Sequence, residues 1–262
     1  MHSRKEITDA LVNFLKTQAA VNAVWEGGSA GWKRTDAWSD IDLQADVQDE
    51  MVEEVLQRAT GFLEETFGIE HQLDMPSPWA GMLHRFFKLK NCSPFLLVDL
   101  AIFKNSAPDK LLQPDMHGEF IVHYDPTDIL QPTALPLTNL HQKFRKRLTW
   151  LKTRQQMFGA FIQKEINRGN AAEAFSFYLG FAVQPAVEVW RMKYSPYHAE
   201  FGARYLQYDL PESIATQLRD LYFVAGPEQL PAKLEKAKAL FASGVEVLEQ
   251  EDWLNPSIEI PA

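Results

Sequence analysis

The spacing of apolar residues changes once along the chain, after Asp125, and that change limits the folds open to it. Before it, short apolar runs alternate with two helical stretches and are bounded by glycine and proline. After it no strand pattern remains, and apolar residues recur at steps of three and four. The first part reads helix, strand, turn, strand, helix and then three strands. That order predicts an α+β domain with helices packed on a mixed β-sheet, over residues 1–125. Residues 126–138 hold Pro126, Pro132 and Pro136 without helical periodicity and read as a linker. Residues 139–262 predict an all-α helical bundle.

Individual elements follow from local chemistry. Ser3 with Glu6 three residues on is a capping box, opening a helix over 4–20 with Ile7, Leu11, Phe14 and Leu15 on one face. Residues 21–25 and 41–47 read as strands, and 50–67 as a helix that Gly68 stops. A turn follows around Pro76 and Pro78, then strands at Met82–Leu89, 95–103 and 119–124. In the second part, Asn139 is expected to cap a long helix to about Asn167. A helix over 171–193, kinked near Pro185, comes next, with shorter ones at 197–206, 212–224 and 228–250.

Charge and cysteine content narrow the setting. A net charge of −9 argues against general attraction to DNA, RNA or an anionic membrane. The single cysteine, Cys92, leaves no intramolecular disulfide and fits a reducing compartment. The first residues have no secretory-signal pattern, and no apolar run approaches the ~20 residues needed to span a bilayer. A cytoplasmic protein with no membrane partner is the expectation.

The chemistry concentrates between residues 24 and 47. An apolar run ends in Gly27-Gly28-Ser29, and after ten residues Asp40-Ile41-Asp42 opens a second run. Side chains alternate along a strand, so Asp40 and Asp42 share a face. Two like charges that close need a cation or a proton to neutralise them, and Mg²⁺ suits carboxylate oxygens combined with phosphates. A Gly-Gly-Ser turn brings backbone N–H groups and a hydroxyl close to such a phosphate. Asp99 is the one carboxylate in the apolar run 95–103 and needs compensation if buried. Beside the Asp40–Asp42 strand, it would make three carboxylates converge near the turn.

This pattern resembles the nucleotidyltransferases of the DNA polymerase β type. Residues 34–43, RTDAWSDIDL, look most like the bacterial aminoglycoside and lincosamide nucleotidyltransferases. The likeness covers about the first 125 residues and implies that family's fold there. It further implies two Mg²⁺ ions held by Asp40, Asp42 and Asp99, with Asp99 a possible acceptor of the hydroxyl proton. Gly27, Gly28 and Ser29 would hold the triphosphate of an NTP, ATP first among them, within reach of Lys33 and Arg34. A hydroxyl of a small acceptor would attack the α-phosphorus and release pyrophosphate. An acceptor similar to an aminoglycoside or lincosamide, with antibiotic resistance as the role, is the family association.

Two other functions stay open. One is a transferase that adds nucleotides to RNA, against which the acidic balance weighs. The other is a nucleotide-binding regulatory protein without turnover. Asp36 reads as a loop-structuring residue and Trp38 as a packing residue. The long helix carries eight basic residues, Lys143 and Arg147 among them, against one acid, Glu165. Its basic edge faces either an anionic ligand or solvent. Trp190, Lys193, Tyr194, Tyr197 and His198 line a pocket or pack a helix junction, and Glu165, Glu188 or His198 could act as base. The sequence leaves oligomeric state open.

Overall fold

A computed structural model of the chain describes residues 1–76 and 81–251. The expected turn residue Pro78 and the end of the bundle domain, residues 252–262, lie outside them. The chain divides into two compact units, Met1–Ala134 and Leu135–Ala262.

The first unit is α+β. Helix α1 (Arg4–Lys16) begins at the capping box: Ser3 Oγ accepts the Glu6 N–H while the Glu6 side chain accepts the Ser3 N–H. Then come β1 (Val21–Glu26), a single helical turn α2 (Gly28–Gly31), β2 (Ile41–Val47) and α3 (Val52–Phe67). Strands β3 (Ile69–Met75), β4 (Met82–Leu89) and β5 (Val98–Lys104) follow. The short helix α4 (Pro114–His117) and strand β6 (Ile121–Tyr124) complete the unit. The six strands order as β3-β4-β5-β2-β1-β6. Among the described residues only β2 and β5 pair in parallel, at the centre of the sheet.

The period of two along β2 sets up the two faces of the sheet. Ile41, Leu43, Ala45 and Val47 join Val98, Leu100 and Ile102 of β5 in a core under α1 and α3, with Ile7, Leu11, Val55 and Leu63. Asp42, Gln44 and Asp46 take the opposite face. There a smaller core of Trp25, Ala101, Phe103, Leu112 and Leu130 closes over part of the sheet. Asp46, fully buried, is held by Asn22 Nδ2 at 2.8 Å, Asn105 Nδ2 at 2.9 Å and Lys110 Nζ at 2.5 Å. That network secures the end of β2 remote from Asp42.

Several expectations need correction here. Strand β3 was not expected, because its residues from Glu70 on are exposed at the sheet edge and carry no apolar alternation. The run 95–103 becomes strand only at Val98, and 119–124 only at Ile121. Helix α1 ends at Lys16 rather than at 20, capped by Thr17.

The second unit is helical. Its elements are α5 (Leu137–Arg168), α6 (Ala171–Tyr178), a π-helical turn (Leu179–Val183) and α7 (Gln184–Tyr194), then α8 (Leu206–Asp209), α9 (Glu212–Tyr222) and α10 (Leu230–Glu249). Asn139 does not cap α5; the helix starts two residues earlier, with Pro136 at the boundary. In place of a simple kink at Pro185, the Gln184 N–H reaches back five residues to the Leu179 carbonyl. Pro185 lacks an N–H and cannot continue the regular ladder, so the preceding turn widens. Helices α7 and α10 meet closely at Gly244, where a methyl group would lie 2.6 Å from Val189 Cγ2. Among the described residues no helix is long and apolar enough to cross a membrane.

Candidate active site

The parallel register of β2 and β5 pairs Asp42 directly with Asp99. Both side chains lie on the sheet face opposite α1 and α3, at the strand ends that receive the chain from β1 and the loop before β5. The Gly27 N–H donates to the Asp42 carbonyl at 3.0 Å and ties the turn after β1 to β2. Gly28 has φ +54°, and a Cβ there would fall 1.9 Å from Asp42 Oδ2. The turn therefore rests directly on the carboxylate, and any side chain at 28 would displace it.

Two buried polar atoms lie at this turn without a hydrogen-bond partner among the described residues: Ser29 Oγ and Gln44 Oε1. Gln44 sits under Gly27, its Oε1 3.4 Å from the position a Gly27 Cβ would take. Buried polar atoms are seldom left unsatisfied in a finished fold.

The electrostatics single out Asp42. Its carboxyl is pushed up to about 6, first by burial and then by the neighbouring charges of Asp99 and Asp40, with Arg4 opposing. Asp99 is held by His84 of β4, Nε2 to Oδ1 at 2.5 Å. Asp40 turns one oxygen to its own support: Oδ1 accepts the Leu97 N–H at 2.9 Å, and its carbonyl accepts Arg4 Nε at 3.0 Å. Arg4 also pairs with Glu26, which His123 Nε2 contacts at 3.1 Å. Burial pushes Glu26 up, but the His123 bond and the Arg4 charge outweigh it and hold its carboxyl below the usual range.

The structure thus brings Asp42 and Asp99 together and sets Asp40 near enough for its charge to act on Asp42. Among the described residues, no three His, Cys, Asp or Glu side chains are grouped to hold a metal ion. Asp40 and Asp99 each have one oxygen in a hydrogen bond to the protein, from the Leu97 N–H and with His84 Nε2 respectively.

The loop cations are engaged as well. Lys33 pairs with Glu119 at 2.7 Å, both side chains well exposed. Arg34 places its guanidinium 5.2 Å from the centre of the Trp32 ring and its N–H 2.9 Å from the Ser29 carbonyl. Asp36 structures the loop as expected: Oδ1 accepts the Trp38 N–H at 3.0 Å and the Ser39 hydroxyl at 2.8 Å. Trp38 does not pack. It is 66% exposed, because that turn directs it outward.

Reasoning from sequence did not single out Arg4, Glu26, Gln44, His84 or His123. His84 is one of three basic residues in β4, with Arg85 and Lys88, and only the β4–β5 pairing puts it on Asp99. In the helical unit the candidate bases are occupied. Glu188 is held by Arg147 through two bonds of 2.5 and 2.8 Å. Glu165 accepts Arg168 Nη1 at 2.5 Å and Asn170 Nδ2 at 2.7 Å at the end of α5. His198 Nδ1 lies 2.9 Å from Asp209 Oδ2, which also accepts Arg191 Nη1 at 2.8 Å. Trp190 donates to the Leu240 carbonyl at 3.0 Å and stacks on Tyr194, and Tyr197 donates to the Leu135 carbonyl at 2.9 Å. These aromatic residues pack and brace the bundle.

No protein-family model matches the chain, and no curated protein matches it in sequence.

Proposed function

We propose that the chain is a Mg²⁺-dependent nucleotidyltransferase that moves a nucleoside monophosphate, AMP from ATP in the first instance, onto a hydroxyl of a small acceptor. The observation that carries this reading is the seat of Gly28 on Asp42, with Asp42 beside Asp99 on the parallel strand pair. A glycine turn and a carboxylate pair in direct contact suit a phosphate and the cation that accompanies it.

The donor set fits Mg²⁺. All the acids facing the turn offer oxygen, and the Asp42 carboxyl, raised first by burial and then by the charges of Asp99 and Asp40, is one that a divalent cation would stabilise in its ionised form. Asp42 and Asp99 would hold the metal, with the free oxygen of Asp40 contributing. When bound, Mg²⁺ neutralises charge on the phosphate oxygens and makes the acceptor hydroxyl a better nucleophile. The protein's own groups supply positioning, on which phosphoryl-type transfer chiefly depends. The buried Ser29 hydroxyl and the backbone of Gly27 and Gly28 would receive phosphate oxygens. His84 holds Asp99 in a fixed orientation. Lys33 would leave its exposed partner Glu119 at little cost, since solvent screens such surface pairs.

The test is transfer from radiolabelled NTPs to a panel of aminoglycosides, lincosamides and tRNA, with pyrophosphate release followed in parallel. Asp42→Asn is expected to abolish turnover with the fold intact. An unchanged rate would remove the carboxylate pair from the chemistry.

A further inference from the structure

One outer row of α5 takes no part in the reading above. Lys143, Arg147, Trp150, Arg154, Phe161 and Lys164 are separated by three, four or seven residues, so they lie on one line along the helix. At 1.5 Å per residue the line is about 32 Å long. Each of these residues is exposed or half-buried. They flank the buried row of Phe144, Leu148, Leu151 and Ile162 without joining it.

From Arg147 onward cations and rings alternate along this row and touch. The Arg147 guanidinium lies 4.3 Å from the centre of the Trp150 ring, and that of Arg154 lies 4.9 Å from it on the same residue. Arg154 is also 4.6 Å from Phe181, whose ring stacks with Phe158 and Phe177. Lys164 Nζ lies 4.9 Å from the Phe161 ring. Trp150 nevertheless keeps 47% of its surface exposed. The ion pairs of α5 use Arg147, Lys152 and Arg168; among the described residues Lys143, Arg154 and Lys164 have no carboxylate partner. In a chain of net charge −9, three cations without an ion-pair partner among the described residues, set beside exposed rings on one row, are a local exception.

We propose that this row binds single-stranded nucleic acid, with bases stacking on Trp150 and Phe161 and phosphates meeting Lys143, Arg154 and Lys164. Charge complementarity selects a polyanion, and the length of the row selects a polymer over a small anion. The rings lie under these cations, and a phosphate that draws a cation aside opens a ring face to an unpaired base, whose faces stack on aromatic side chains whatever the sequence. A duplex hides those faces, and an acidic peptide has no repeating planar group to meet the rings.

Fluorescence anisotropy of the full chain with 5′-labelled poly-A and poly-U RNA of about 15 nucleotides tests this, without NTP, so the result is separate from nucleotidyl transfer. Saturable binding is expected. Its log affinity should fall with log salt at a slope of about −2, from three phosphate contacts at about 0.7 each. Trp150→Ala should weaken binding about tenfold. Arg154→Gln should weaken it and flatten the slope by about 0.7. Both side chains are on the surface, and circular dichroism is expected to be unchanged. The proposal is overturned by absence of binding at low salt, by wild-type affinity in both variants, or by equal affinity for a duplex of the same sequence. Self-association of the chain that Trp150→Ala abolishes would also overturn it, since a second copy would then occupy the row.

Discussion

Replacing Asp42 by Asn should stabilise the metal-free protein at neutral pH while removing its proposed chemistry. In the folded chain the Asp42 carboxyl titrates at about 6 against 3.8 for an ordinary aspartate, through burial and the charges of Asp99 and Asp40. Folded-state pKa above unfolded-state pKa means that the ionised form disfavours the fold. At about 1.4 kcal/mol per pH unit, the penalty reaches about 3 kcal/mol above pH 6. Asparagine has nearly the same shape without the charge, so the variant escapes the penalty. The gain should therefore be full above pH 6, decline as pH falls from 6 towards 4, and vanish below 3.8, where both states of the wild type are protonated. Urea denaturation of both proteins in EDTA at several pH values between 4 and 8 measures it. A variant that is less stable than wild type at pH 8, or a difference that does not depend on pH, would refute the electrostatic account of this site. Added Mg²⁺ should narrow the difference by stabilising only the wild type, as a ligand of the folded state does.

Other perturbations separate the parts of the site from the frame. Gly28→Ala forces a left-handed alanine, costing about 1–2 kcal/mol, and drives a methyl into the Asp42 carboxylate. Thermal denaturation should show that loss, and nucleotide binding should be lost with it; wild-type binding would place the phosphate elsewhere. His84→Ala releases Asp99 and should weaken Mg²⁺ binding by about 10–100-fold in calorimetry, as loss of an outer partner does elsewhere. An unchanged affinity would make His84 a bystander. In the helical unit, Arg191→Met strands the carboxylate of Asp209 with only His198 beside it. Breaking such a buried pair should cost about 3 kcal/mol in urea denaturation; a loss below about 1 kcal/mol would show that the bundle holds residues 195–210 by other means.

Features set by a few neighbouring residues were legible in the sequence. The Ser3–Glu6 box opens α1 where it was expected, and Ile41–Val47 and Met82–Leu89 are strands with the expected ends. The shift from strands to helices after Asp125 is real, because period and turn chemistry are local properties. Within the candidate site, the same reasoning found the glycine turn and the three carboxylates as residues of interest. It could not tell that Asp40 spends an oxygen on Leu97, that Lys33 rests on Glu119, or that Glu188 and His198 are braced inside the bundle. Each of those contacts spans a separation along the chain that no periodicity records.

The sequence by itself determined that an α+β segment precedes a helical one, and it set the Gly27-Gly28-Ser29 turn, the Asp40–Asp42 pair and the lone Asp99 into their local elements. Only the tertiary structure decided how they meet. The choice of β2 as parallel partner for β5 sets Asp42 against Asp99, and the antiparallel β4 then brings His84 onto Asp99. Strand pairing is a long-range selection among many registers, and a shift of one residue would turn every one of these side chains to the other face. The positive φ of Gly28 has meaning for the same reason, since the carboxylate it makes room for arrives from a different strand.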